Sequence, residues 1–274
     1  MYTQPVTSDA KPVTLTTLAR MKSEGEKIAS LTAYDASFAA LLDGAGVDMV
    51  LVGDSMGNVI QGHATTVPVT VDDIVYHTRN VARGLKRAFL IADMPFLSYP
   101  TPEIALANAG RMMQEAGAKM VKLEGSGRQA DIVRYLADNG VPVCAHLGLR
   151  PQSVHKLGGF SVQGRGAAAA KQMIKDAQLL EQAGADLILL ELVPSALAAR
   201  ITAKVKVPVI GIGAGPKVDG QILVLYDMLD ITPGKRPKFV RNFMTGAKSH
   251  HDAVTAFVKA VKSGEYPGAE HSFE

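Results

Sequence analysis

The chain has 274 residues, 47% of them hydrophobic and 20% charged, a composition and length suited to one large folded α/β domain. Its net charge of +3, without a long Lys/Arg run, argues against a nucleic-acid partner, and its lone cysteine, Cys144, excludes an internal disulfide and an all-cysteine metal site. No apolar stretch reaches the ~18 residues a membrane span needs.

Residues 1–13 carry two prolines and no periodicity, and are read as an N-terminal extension. They lack the apolar segment of a secretory signal, so a cytoplasmic protein is expected. Residues 14–23 suggest a short helix that covers the bottom of a barrel. Ile28–Tyr34 reads as a first strand, followed by a helix with Phe38, Leu41 and Leu42 on one face. The second strand is Val47–Gly53, an apolar run of the kind buried on both faces in a parallel sheet. Residues 55–70 form a long loop without periodicity, a length that usually signals a functional lid. Thr70 then caps a helix whose first turn holds Asp72 and Asp73.

The third strand is Ala88–Asp93. Thr101-Pro102-Glu103 opens the next helix, with threonine as cap and proline in the first turn, running to Glu115. Ala118–Leu123 is the fourth strand; Ser126 is the expected cap of the helix after it, which runs to Asn139. Val141–His146 is the fifth strand, and a second long loop spans 147–166, whose Gly158-Gly159 and Gly164–Gly166 read as hinges. Ala167–Ala183 is helical, Asp186–Leu192 is the sixth strand, and Ser195 is the expected cap of a helix to Ala203. Pro208–Ile212 and Gln221–Leu225 are the seventh and eighth strands, with little room for a helix between them. A last helix is expected over residues 245–262, and 263–274 form a C-terminal tail. Eight strands alternating mostly with helices mean right-handed parallel βαβ units, and that number favours a single-domain (β/α)8 TIM barrel over residues 14–262 rather than a doubly wound sheet.

In such a barrel the carboxyl ends of the strands face the mouth. Those ends carry Asp54, Asp93, Glu124 and Glu191. Any one of them could merely cap the next helix. Four together would repel one another unless a cation or shared protons intervened, and an all-oxygen set favours Mg²⁺ over Zn²⁺. Two or three carboxylates suffice for that ion, leaving one as a general base. Lys122 lies on the same strand face as Glu124 and serves either an ion pair or a substrate anion. Ser55 is either a turn cap or an anion donor, and His146 either structural or catalytic. Cys144, inside an apolar run, reads as a buried inert thiol. His63, His77, His155, His250 and His251 have no metal-ligand spacing and read as surface or loop residues. The glycines of GIGAG, 211–215, either cradle a phosphate or permit tight turns.

The stretches LTAYDASFA (31–39), VGDSMGNVIQGHATTVPVT (52–70), ADMPF (92–96), VKLEG (121–125), AHLGLRPQSV (145–154), VQGRG (162–166), LLELVP (189–194), GIGAG and DGQILV (219–224) resemble the ketopantoate hydroxymethyltransferases, from about residue 14 to 262. The resemblance implies a Mg²⁺-dependent barrel that moves a hydroxymethyl group from 5,10-methylenetetrahydrofolate to 3-methyl-2-oxobutanoate, the opening step of pantothenate synthesis. It implies Asp54 and Asp93 as metal ligands, with Glu124 as a further, direct or water-mediated, partner. Oxo-acid contacts fall on Asp54, Ser55, Asp93 and Lys122, with His146 as a further candidate, and the general base falls on Glu191. A homodecamer is implied as well. The rival within the same chemistry is a Mg²⁺-dependent carbon–carbon lyase or mutase of the isocitrate lyase kind, whose lid-loop cysteine has no counterpart here. A phosphosugar-handling barrel and a non-catalytic oxo-acid-binding barrel are the others.

Overall fold

The computed structural model describes residues 11–274; the first ten residues of the N-terminal extension lie outside them. Eight strands, β1 (Ile28–Thr32), β2 (Met49–Val52), β3 (Phe89–Asp93), β4 (Met120–Glu124), β5 (Val143–Gly148), β6 (Leu187–Glu191), β7 (Val209–Ile212) and β8 (Gly220–Leu223), close in sequence order into an all-parallel barrel. The barrel closes through β8 on β1, with Ile28 opposite Gly220. Nearly every strand residue is buried, because each strand has side chains on its inner face and helices on its outer one.

The outer layer holds α1 (Leu15–Glu24), α2 (Ala36–Gly44), α3 (Met56–Val59), α4 (Val71–Gly84), α5 (Pro102–Gly110), α6 (Gln129–Asp138), α7 (Val154–Leu157), α8 (Ala167–Gln182), α9 (Ser195–Thr202), α10 (Leu225–Met228) and α11 (His250–Ser263). The expected threonine caps hold. Thr70 accepts from the Asp73 N–H while Asp73 reaches back to the Thr70 N–H. Thr101 accepts from Ile104 N–H with Pro102 in the first turn. A π-turn, Arg111–Glu115, ends that helix. Two expected caps fail. Ser126 makes no cap bond to α6, and Ser195 lies inside α9 and donates its hydroxyl to the Phe273 carbonyl. α11 starts at His250, because Ser249 rather than a residue near 245 accepts from the Asp252 N–H. No helix joins β7 to β8. Both long loops contain single helical turns, α3 in one and α7 in the other.

The amino-terminal end of the barrel is an electrostatic floor. α1 covers it, burying Leu18 and Met21, and its Lys22 ammonium reaches the Asp219 carboxylate at 2.8 Å and the Val207 carbonyl at 2.8 Å. Asp48, before β2, is 1% exposed; it accepts from the Ala29 N–H and pairs with Arg87 and Lys262 at 2.7 Å each. Asp48 and Asp219 thus each have a cation, the condition under which a buried charge is tolerated. The described residues contain no helix long and apolar enough to cross a membrane.

Candidate active site

At the opposite, carboxyl-terminal end the charges do not balance. Asp54 follows β2, Asp93 ends β3, Lys122 and Glu124 are alternate residues of β4, His146 lies on β5, and Glu191 ends β6. Pairing places Asp93 beside Lys122 and Glu124 beside His146. All six, with Ser55, line one cavity of about 540 Å³. The strand ends therefore bring every residue singled out from the sequence to one place: four carboxyl groups around one ammonium.

Lys122 donates to both oxygens of Asp93 at 2.7 Å and stands 3.8 Å from Glu124. Burial alone would drive its proton off, yet Asp93, Glu124 and Asp54 hold the ammonium charged and push its pKa up. The carboxyl groups show the other side of the imbalance. Burial first, with Asp54 adding repulsion against the pull of Lys122, pushes Asp93 up to about 7. Burial likewise carries Glu124 well above the ordinary carboxyl range. Glu191 rises to about 8, again by burial, with repulsion from Asp54 and Asp93 partly opposed by Lys122. Glu191 is the least enclosed of them, its side chain 16% exposed against 2% for Asp93 and Glu124.

His146 stands between two of the acids, Nε2 3.4 Å from Glu191 and Nδ1 3.6 Å from Glu124. Burial, reinforced by Lys122 and Arg150, keeps its imidazole neutral, with a pKa well below the ordinary value. Neither ring nitrogen, nor Glu124 Oε1, makes a hydrogen bond of normal geometry although all three are buried. Buried polar atoms without partners are uncommon in folded proteins and point here to a ligand.

Two residues absent from the sequence reading organise the acids. The Gln152 side-chain amide donates to Asp54 Oδ2 and to the Met94 carbonyl, both at 2.9 Å, and its backbone N–H donates to Glu124 Oε2 at 3.2 Å. Tyr99 donates its hydroxyl to Gln152 Oε1 at 2.5 Å and accepts from the Glu124 N–H at 3.3 Å. Gln152 follows Pro151 in a single turn of 3₁₀ helix inside the second long loop. On the other side, Tyr34 and Ser55 share a hydroxyl–hydroxyl bond of 2.9 Å, which fixes Ser55 at the head of α3. Of the histidines read as surface or loop residues, His77 departs from that reading: half-buried on α4, it bonds the Tyr34 carbonyl through Nδ1 at 2.7 Å.

The backbone around Glu191 is constrained. Leu192 takes a positive φ of 48°, an outlier for a branched residue, and such strain is retained where surrounding contacts over-determine it. Its N–H bonds the Ile212 carbonyl and its carbonyl accepts from the Gln163 N–H of the second long loop. Gly148, opposite Glu191 in the β5–β6 pairing, has a φ of 94°, and a Cβ there would lie 2.1 Å from the Glu191 carbonyl. Only glycine fits that approach.

The acids offer an all-oxygen donor set. Among the described residues no three Asp, Glu, His or Cys side chains form a ready-made metal nest. A hard ion that keeps several of its waters does not need one: two carboxylates suffice. The Glu124 Oε1 without a hydrogen bond and the upward-shifted carboxyls fit a site for such a cation. The glycines of 211–215 accommodate packing: Cβ atoms on Gly213 and Gly215 would meet Phe239, Phe273 and Ser195, and no helix N-terminus follows. Cys144 is buried on β5, its thiol pushed up to about 12 by burial, which leaves it inert as a nucleophile.

Comparison with known proteins points one way. The ketopantoate hydroxymethyltransferase family model matches residues 12–269. The 3-methyl-2-oxobutanoate hydroxymethyltransferase of Alkalilimnicola ehrlichii is 59% identical over 273 residues, covering 100% of this chain and 99% of that protein. The enzyme of the same name from Ralstonia nicotianae is 58% identical over 266 residues, 97% of each. Among solved structures, oxaloacetate acetylhydrolase in complex with 3,3-difluorooxalacetate superposes with a TM-score of 0.59 at 13% identity, covering 95% of this chain and 100% of that one. Phosphonopyruvate hydrolase in complex with oxalate and Mg²⁺ gives 0.59 at 16%, covering 77% and 80%. At those identities the structural likeness speaks to the fold alone.

Proposed function

The chain belongs to the ketopantoate hydroxymethyltransferase family, and from that premise we propose that it transfers a hydroxymethyl group from 5,10-methylenetetrahydrofolate to 3-methyl-2-oxobutanoate, giving 2-dehydropantoate. The observation that carries the chemistry is the cavity floor, where Asp54, Asp93, Glu124 and Glu191 surround Lys122 and one face of neutral His146.

Asp54 and Asp93 would hold Mg²⁺, with Glu124 as the further partner; the ion, when present, polarises the substrate's keto group. Lys122 supplies the fixed positive charge for the substrate carboxylate, and Ser55, held by Tyr34, supplies a hydroxyl to the same anion. Glu191 is the general base. Its carboxyl, raised to about 8 by burial, is basic enough to take the C3 proton of the oxo acid near neutral pH. His146, 3.4 Å from it, stays neutral and so does not cancel its charge. As the proton leaves C3, negative charge spreads to the keto oxygen as an enolate, which the Lys122 ammonium faces at the floor. C3 then bonds to the methylene carbon of the donor as one of that carbon's two bonds to folate nitrogen opens. Water places its hydroxyl on the same carbon in exchange for the second nitrogen, and tetrahydrofolate leaves with both nitrogens protonated, one proton coming from C3 and the other from that water.

The lyase reading lacks its lid-loop cysteine: Cys144, the chain's one cysteine, is buried on β5. The same proposal includes a cytoplasmic homodecamer acting at the opening of pantothenate synthesis. Exposed Tyr76, Leu97 and Ile104 offer apolar surface that assembly would cover. The test is product analysis with both substrates and Mg²⁺. Formation of 2-dehydropantoate supports the reading; cleavage of the oxo acid, or binding without turnover, removes it.

A further inference from the structure

The cavity has two zones. Its floor is the charged set described above; its rim is apolar and aromatic, with Phe160, Phe239 and Phe273 among the lining residues. Phe273 comes from the C-terminal tail, beyond the residue 269 at which the family match stops. Its position is fixed. Its carbonyl accepts from the backbone N–H of Ser195 at 2.9 Å and from the Ser195 hydroxyl at 3.1 Å, which ties the tail to the start of α9. Lys238 donates to the neighbouring Ser272 carbonyl at 2.6 Å and lies 5.1 Å from the centre of the Phe273 ring. The bare Cα of Gly213, at the end of β7, leaves room for the ring: a Cβ there would meet Phe273 at 3.2 Å and Phe239 at 3.1 Å. The ring is nonetheless only half-buried, so one part of it is held while another faces the cavity. Phe160 of the second long loop, another lining residue, is 61% exposed, a large apolar side chain without enough protein to cover it.

A ring pinned this way, at the mouth rather than in the core, has a face to offer. The small oxo acid is consumed at the charged floor, and it has no flat ring to lay against an aromatic face. The one-carbon donor is different: its reactive methylene is carried by a flat heterocycle, and such rings bind best against aromatic faces. We propose that Phe273, backed by Phe239 and Gly213, is the wall against which the donor's heterocycle lies, and so sets its affinity. This rests on the folate-dependent reading above. The tail, in this account, is part of the donor site rather than a terminal appendage, and Ser195 and Lys238 are the residues that position it.

The experiment compares the wild-type enzyme with Phe273→Ala and Phe273→Leu, the second retaining apolar bulk without a flat face. Two quantities are read: KM for 5,10-methylenetetrahydrofolate, and Mg²⁺-dependent exchange of the oxo-acid C3 proton into D₂O with no donor present. Loss of one ring contact is expected to raise donor KM by roughly five- to tenfold in both variants, with exchange within about twofold of wild type and Phe273→Tyr restoring the wild-type KM. An unchanged donor KM in a wild-type background that turns over normally overturns the assignment of the ring. A parallel fall in exchange also overturns it, since the tail would then be shaping the floor. Failure of the wild-type enzyme to use the folate overturns the underlying reading, a result distinguishable from either.

Discussion

The ammonium of Lys122 lies 2.7 Å from both carboxylate oxygens of Asp93, in a cavity that Asp54, Glu124 and Glu191 also line without a cation of their own. The contrast with the other end of the barrel is instructive. There Asp48 is matched by Arg87 and Lys262, and Asp219 by Lys22. Asp48 and Asp219 are compensated where they serve the fold, and the acids of the mouth are left in excess where a ligand brings charge of its own.

Lys122→Met removes the one positive charge from that set. Lys122 and Asp93 are 4% and 2% exposed at their side chains, and breaking a buried pair from one side typically costs about 3–5 kcal/mol. Chemical denaturation of the metal-free variant should show a loss of that order. The variant should also bind 3-methyl-2-oxobutanoate far more weakly, read by calorimetry. Unchanged stability together with unchanged oxo-acid affinity would mean that Lys122 neither balances the acids nor meets the substrate.

The same imbalance sets a pH dependence. Asp93 at about 7 and Glu191 at about 8 hold protons in the folded state that carboxyls of an unfolded chain release near pH 4. Protons bound more tightly by the folded state mean that stability falls as pH rises through that interval. Neutral His146 acts in the opposite sense, but only up to about pH 6.5, the pKa of its unfolded state. The metal-free protein should therefore lose Tm between pH 6.5 and 8, and Mg²⁺ should raise Tm more at pH 8 than at pH 5. A Tm that climbs from pH 7 to 8 without metal would contradict this.

Gln152 offers a cleaner probe of metal affinity than the ligands themselves. Its amide fixes one oxygen of Asp54, and Tyr99 in turn fixes Gln152. Partners that orient a ligand typically matter by 10–100-fold in affinity. Gln152→Ala should weaken Mg²⁺ binding by about that factor in a direct titration, and Tyr99→Phe by less, since the Met94 carbonyl still holds the amide. Equal Mg²⁺ affinity in wild type and Gln152→Ala would remove the pair from this role.

The sequence carried the barrel because its signals are local. Apolar runs such as MVLV and FLIAD, each followed by helix-forming periodicity, announce parallel strands, and Asp54, Asp93, Glu124 and Glu191 stand at strand ends whatever the details of the loops. The supporting contacts were not legible. Gln152 sits in a loop without periodicity, and its partner Asp54 is 98 positions away. Ser195 has the residue type and position of a helix cap, yet its hydroxyl is used by Phe273, 78 positions on. A pattern rule sees the serine and cannot see the tail that folds back onto it. Similarly, the glycines at 211–215 look like a phosphate cradle until the rings of Phe239 and Phe273 are found against them.

The central claim is that Glu191 takes the C3 proton of the oxo acid. Glu191→Gln keeps the shape of the side chain and removes its basicity, so the direct measurement is C3–H exchange of 3-methyl-2-oxobutanoate into D₂O, with Mg²⁺ and without the folate. The account predicts that the variant binds metal and oxo acid with affinities close to wild type while exchange falls by at least 10²-fold, the size of a lost general base. Exchange at a near-normal rate in Glu191→Gln would contradict it.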